Sequence, residues 1–110
     1  MTHPKAIVAM KNLGLSRDEY LEFLAELKNS VEAQITETKK YIAANDQNKT
    51  VDILHSIKGS IGTLGLIDSY NSCQKLESNF KIALSENSMV LLDDFVKIYS
   101  IEIAEIQQDL

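Results

Sequence analysis

The stretch KTVDILHSIKGSIGTLG, residues 49–65, is typical of one amphipathic helix that stops at Gly65. At about 100° per residue, its large apolar residues share one face: Ile53, Leu54, Ile57, Ile61 and Leu64. His55 lies on nearly the opposite face. A helix with one apolar face has to bury it against other elements, so this stretch predicts a helix packed on a core.

The rest of the chain continues the helical pattern. One proline and four glycines leave long stretches without helix breakers, and no window alternates apolar and polar residues as a strand does. Pro4 suits the first turn of a short helix that Gly14 stops. Ser16 and Glu19 resemble the capping box of a long second helix, which ends at the polar segment 45–48. We predict three further helices over residues 49–64, 67–84 and 89–108.

These helices predict an all-α fold. Four long amphipathic helices with short loops favour an antiparallel up-down-up-down four-helix bundle, with a short additional N-terminal helix. The chain of 110 residues has room for one core, so we expect a single domain over residues 1–110. We expect it to be a monomer, and we favour a free-standing protein over the open alternative of one domain of a larger protein.

Composition excludes several classes of function. A net charge of −5 argues against a nucleic-acid surface, and no apolar run is long enough to cross a membrane. No secretory signal is visible, and the single cysteine fits a reducing compartment, so we expect a cytoplasmic protein. Cys73 falls in the apolar stripe of the fourth helix and is expected in the core. Neither His3 nor His55 has partners at metal-ligand spacing, so no metal site is predicted.

The face of the third helix around His55 is unusual. Val51, Lys58, Gly59 and Gly62 surround it, and each glycine inside a helix costs about 1 kcal/mol relative to alanine. We interpret both glycines as leaving the ring open to another protein. Lys58 lies one turn beyond the ring and can place its ammonium near any group that the ring carries.

The fourth helix offers a partner for the ring. If the chain reverses around Leu66, Glu77 lies as far after the turn as His55 lies before it, and Gln74 is one turn away. A carboxylate that accepts a hydrogen bond from one ring nitrogen fixes the tautomer and leaves the other nitrogen as a nucleophile. We favour Glu77 slightly over Gln74 for this role, and a plain surface charge remains the alternative for Glu77.

The segment HSIKGSIGTLG at 55–65, followed by CQKLE at 73–77, resembles the signature of histidine-containing phosphotransfer domains. The resemblance implies a four-helix bundle in which His55 is phosphorylated. It implies that Lys58 assists electrostatically, that Gly59 permits close approach, and that Gln74 or Glu77 orients the ring. One departure is Ile61, where many members carry a small residue, but its helical position points inward.

The same resemblance implies the partners. His55 would receive the phosphoryl group from a receiver-domain aspartate of a hybrid histidine kinase and pass it to the aspartate of a response-regulator receiver domain. No ATP-binding motif is present, so the chain is expected to be a carrier rather than an enzyme, without a cofactor of its own. Mg²⁺ is expected on the partner receiver domain. We place Val51 and Gly62 in the docking patch. The alternative is a scaffolding bundle that binds a partner without chemistry.

Overall fold

The computed structural model describes residues 3–109, and within that range the chain is all-helical, with five helices and no strand, as predicted. The helices are α1 (Pro4–Leu13), α2 (Arg17–Ala43), α3 (Gln47–Thr63), α4 (Ile67–Ile82) and α5 (Ser88–Gln108). None of the helices within residues 3–109 is long and apolar enough to cross a membrane.

The helix ends follow from local capping. Gly14 takes a left-handed conformation with φ of 68° and ends α1, and the predicted capping box at Ser16 and Glu19 is present at the start of α2. α3 begins two residues earlier than predicted, because the Asp46 side chain accepts a hydrogen bond from the Lys49 backbone N–H at 3.2 Å. α4 ends two residues earlier, because Ala83 is extended.

The core lies where the apolar face of α3 predicts it. The five apolar residues of that face are buried: Ile53, Leu54, Ile57, Ile61 and Leu64. They join the buried faces of the other helices, where Tyr20, Phe80 and Phe95 are the largest fully buried side chains. Burial of a side chain of this size contributes about 1.5–3 kcal/mol, so this continuous cluster holds the helices together.

Each of α2 to α5 packs against its neighbour in sequence, and α2 also packs against α5. The contacts join opposite ends of consecutive helices. The hydroxyl of Tyr20, near the start of α2, donates to the carbonyl of Leu64 after the end of α3 at 2.9 Å. α1 lies across the α3–α4 connection: its Ala6 and Ala9 are buried, and a Cβ at Gly65 would come within 3.0 Å of the Lys5 carbonyl.

The start of α4 is capped by a residue of α5. Glu102 is buried, with 2% of its surface exposed, and its carboxylate accepts from the backbone N–H groups of Asp68 at 3.0 Å and Ser69 at 2.8 Å. The Ser69 hydroxyl donates to it as well, at 2.6 Å. Lys5 of α1 supplies the counterion, with its Nζ 2.6 Å from Glu102 Oε2. A negative charge at a helix N-terminus is favourable, so this carboxylate fixes the beginning of α4.

The other end of α4 is held by α3. The side-chain amide of Gln47 donates to the carbonyls of Phe80 at 2.8 Å and Lys81 at 3.0 Å. These carbonyls lie in the last turn of α4, where no intrahelical partner is available. Side chains of two other helices therefore fix both ends of the helix that carries Glu77.

Candidate functional site

His55 stands on the exposed side of α3 and contacts α4. Its side chain is 70% exposed, and its Nδ1 lies 3.1 Å from Oε1 of Glu77. Within residues 3–109, Nε2 makes no hydrogen bond. One ring nitrogen is thus anchored by a carboxylate, while the other is open to a reaction partner.

Glu77 is a buried carboxylate surrounded by cations. It is 2% exposed, although the sequence left open that it was a surface charge. Lys58 Nζ lies 2.8 Å from its Oε2, and Lys81 Nζ lies 3.5 Å from its Oε1. Burial by itself raises the pKa of Glu77, but the hydrogen bond and charge of Lys58, the hydrogen bond from His55 and the charge of Lys81 outweigh it and leave the pKa below its ordinary value. The carboxylate is therefore ionised at neutral pH.

Gln74 does not join this cluster. Its side chain is exposed on α4, one turn before Glu77, and makes no hydrogen bond among the described residues. Of the two candidates that the sequence offered for orienting the ring, the structure brings only Glu77 to it.

Lys58 is held beside the carboxylate instead of extending into solvent. Its side chain is 17% exposed, and its ammonium also lies 5.9 Å from the centre of the Tyr70 ring, within the range of a cation–π contact. The hydrogen bond to Glu77 is the main cause that raises the pKa of Lys58. The lysine is therefore charged and paired in this structure.

A family model described as the Hpt domain matches residues 17–109, which span α2 to the end of α5. The chain belongs to the Hpt domain family. Hpt domains are helical bundles that carry phosphoryl groups on histidine in two-component phosphorelays, which agrees with the resemblance in the sequence. No curated protein and no solved structure matches the chain.

The two glycines of α3 near His55 have different surroundings. Within residues 3–109, a Cβ at Gly59 would meet no atom within 4 Å, so this position is open beside His55. A Cβ at Gly62 would come within 2.8 Å of Cδ2 of Tyr70. Our interpretation that both glycines serve to uncover the ring is therefore incomplete, because Gly62 makes room for Tyr70. Tyr70 is itself half-buried and packs at the edge of the core.

Val51 lies one turn before His55 and is half-buried at the edge of the core. It lines a small surface pocket with Gln47, Asp52 and Lys81. We placed this side chain on the His55 face and in the docking patch, yet part of its surface is already covered by the bundle. The side chain therefore has less apolar surface to offer a partner than the helical wheel indicates.

Cys73 and His3 have structural roles in this Hpt chain. Cys73 is fully buried, as predicted, and its Sγ donates to the carbonyl of Leu54 at 3.4 Å. Burial, with a smaller effect of the Glu77 charge, raises the pKa of this thiol to about 12, so it is not a nucleophile at neutral pH. His3 caps α1, with Nδ1 accepting from the Lys5 N–H at 3.1 Å. Residues 3–109 contain no group of three potential metal ligands.

Sequence reasoning missed two members of the site, Lys81 and Tyr70. Lys81 had a visible signal, since it follows Glu77 by four residues on the same helix, a spacing that pairs opposite charges. Tyr70 had none, because its contact with Gly62 depends on how α3 and α4 pack.

Proposed function

We propose that this Hpt domain is a phosphorelay intermediate. In this proposal, His55 accepts a phosphoryl group from a receiver-domain aspartate of a hybrid histidine kinase and passes it to a response-regulator aspartate. One observation carries the proposal: an exposed imidazole whose Nδ1 is paired with a buried, ionised carboxylate.

The chemistry follows from this pairing. Ionised Glu77 can only accept a hydrogen bond, so the neutral ring carries its proton on Nδ1 and its lone pair on Nε2. The Nε2 lone pair attacks phosphorus, the N–P bond forms, and the acyl phosphate O–P bond breaks to leave the receiver carboxylate free. The ring keeps its Nδ1 proton, and Glu77 faces the positive charge that develops on the ring. The reverse attack by a second receiver's carboxylate returns the histidine.

Lys58 and Gly59 assist in this proposal. The Lys58 ammonium lies one turn from the ring on α3 and offsets the charge of the transferring oxygens. The open surface at Gly59 lets the receiver backbone approach the ring. The chain acts as a stoichiometric carrier, not as an enzyme, and it needs no cofactor, since the partner receiver holds Mg²⁺ between its own carboxylates.

The docking surface would follow α3 from Val51 through Gly59 to Gly62. Beyond His55, open grooves flank this ridge on both sides. One is lined by Phe23 and Thr63 and the other by Ile67 and Thr63 among others, and Phe23 and Ile67 are about half exposed, at 48% and 56%. Exposed apolar side chains that flank the helix carrying a reactive group are typical of a surface that a protein partner covers.

The finer architecture belongs to the same proposal. We take α2 to α5 as an antiparallel up-down-up-down four-helix bundle and α1 as an addition that covers one end. The contacts between opposite ends of consecutive helices support this arrangement. The single domain over residues 1–110, the monomeric state and the cytoplasmic location remain predictions.

Incubation with a phosphorylated receiver domain tests the function. Wild-type protein should take up an acid-labile, base-stable label, and His55→Gln should take up none. Among the residues that the structure describes, the exposed ring makes one hydrogen bond, so the variant should keep its helicity and its melting temperature. Label on His55→Gln would contradict the assignment, and receiver binding without label on the wild type would favour the scaffolding alternative.

A further inference from the structure

We propose that Lys81 is the exchange counterion of Glu77, which holds the carboxylate in place when Lys58 turns to the phosphoryl group. This role makes Lys81 a positioning residue, and it rests on the proposed phosphorylation of His55.

The geometry of Lys58 creates the need for a second cation. Its ammonium is 2.8 Å from Glu77 Oε2, and its side chain is 17% exposed, whereas the His55 ring beside it is 70% exposed. The phosphoryl group is bound at Nε2, on the outer edge of that ring, because Nδ1 faces Glu77 at 3.1 Å. The Lys58 ammonium lies on the Glu77 side of the ring and cannot form short contacts with both the carboxylate and the phosphoryl oxygens. Lys58 therefore has to leave the carboxylate when it binds the phosphoryl oxygens.

Removal of that cation would expose Glu77 to the effect of its own burial. A carboxylate that is 2% exposed and loses its counterion tends toward the protonated form. A protonated carboxyl group can donate as well as accept a hydrogen bond. Glu77 would then no longer be an ionised group that can only accept from His55 Nδ1–H. The ring would be least well supported while it carries the phosphoryl group.

Lys81 is placed to prevent this loss. Its Nζ lies 3.5 Å from Glu77 Oε1, the same oxygen that His55 contacts, and its side chain is 61% exposed. At this distance the Lys81 ammonium places positive charge near Glu77 Oε1, but it does not form a short hydrogen bond that would compete with His55 for that oxygen. Its backbone is fixed, because the Lys81 carbonyl accepts from Gln47. Only a small movement of the side chain is needed to replace Lys58.

The test compares Lys81→Ala and Lys81→Arg with a control variant, Lys75→Ala, which removes an exposed lysine of the same helix that makes no ion pair among the described residues. Each protein is phosphorylated with potassium phosphoramidate, so no receiver is needed to form the phosphohistidine. NMR measures the tautomer of the His55 ring and the carboxyl carbon shift of Glu77 before and after phosphorylation. Transfer to a receiver domain is measured separately.

We expect an effect that depends on the phosphorylation state. Lys81→Ala should leave the resting ring unchanged, because Lys58 still pairs with Glu77. It should shift the Glu77 carboxyl signal in the phosphorylated form and slow transfer by on the order of tenfold, which corresponds to about 1.4 kcal/mol. Lys81→Arg should restore both, and Lys58→Ala with Lys81→Ala should perturb the resting ring as well.

The outcomes separate this inference from the function. Phosphorylated Lys81→Ala that matches Lys75→Ala in NMR signals and transfer rate would overturn the exchange role and leave the function intact. If Lys81→Ala perturbed the resting and the phosphorylated forms equally, the exchange role would also be overturned, because a static structural role of Lys81 predicts that result. Absence of a phosphohistidine at His55 in the wild type would overturn both.

Discussion

Replacement of Gly62 by alanine should lower stability, whereas the same change at Gly59 should raise it. Both glycines lie on the exposed side of α3, less than one turn apart. A Cβ at Gly59 would meet no atom of the described part of the chain within 4 Å, but a Cβ at Gly62 would stand 2.8 Å from Cδ2 and 3.1 Å from Cε2 of Tyr70. Carbon atoms pack at about 3.5–4.0 Å, so the Tyr70 ring would have to move by roughly an ångström.

The magnitudes follow from helix propensity and packing. Alanine is about 1 kcal/mol more favourable than glycine inside a helix, so Gly59→Ala should raise the free energy of unfolding by about that amount. Gly62→Ala gains less stability from helix propensity, because residue 62 lies in the last turn of α3. Overpacking against Tyr70 costs about 1–3 kcal/mol. The net effect of Gly62→Ala should be a loss of about 1 kcal/mol.

Urea unfolding followed by far-UV circular dichroism measures both changes. The cause is isolated by repeating Gly62→Ala in a Tyr70→Ala background, where the ring is gone and the substitution should become neutral or stabilising. The steric reasoning would be refuted if Gly62→Ala stabilised the wild type as much as Gly59→Ala does. Persistence of the loss without the tyrosine ring would refute it equally.

Two further predictions concern the buried carboxylates. Because the pKa of Glu77 is lowered in the folded protein, its charge stabilises the fold above the ordinary value of 4.5, and this contribution is lost as the pH falls through the folded pKa. The difference in unfolding free energy between wild type and Glu77→Gln should therefore be constant at neutral pH and change only below about pH 4.5 in urea titrations. Glu102→Gln should cost about 1–3 kcal/mol, since it weakens the hydrogen bonds to the start of α4 and removes the buried carboxylate paired with Lys5, which keeps Asp68 at 2.8 Å. Glu105→Gln, an exposed change on the same helix, should stay within about 0.5 kcal/mol in the same assay, and equal losses for the two variants would contradict the capping role of Glu102.

The sequence predicted most of the secondary structure because the signals are local. Gly14, the capping box at Ser16 and the apolar face of α3 act within a few residues, and the helices end within two residues of the prediction. His55 and Glu77 lie equally far from the α3–α4 turn in sequence. Because both helices have the same rise per residue, this spacing also predicted that the two residues lie at the same height.

What the sequence could not provide depends on contacts between distant segments. The helical wheel placed Lys58 beside the ring, but its side chain turns to Glu77 and Tyr70, a choice of rotamer that packing determines. The contact of Glu102 with the start of α4 joins residues more than thirty positions apart, and no local pattern marks it. The burial of Glu77 likewise follows from how α3 and α4 meet.

The anchoring of α4 at both ends has a consequence for evolution of the site and for its engineering. Sixteen residues of helix measure about 24 Å, and a shift along the axis by one residue would move Glu77 by about 1.5 Å, half its distance to His55 Nδ1. The hydrogen bonds of Glu102 and Gln47 hold the two ends of α4 and prevent it from shifting along its axis. Residues about 10 Å or more from the ring therefore set the alignment of the nucleophile. Substitutions of Glu102 or Gln47 should therefore lower the rate of phosphoryl transfer even where every residue around the histidine is kept.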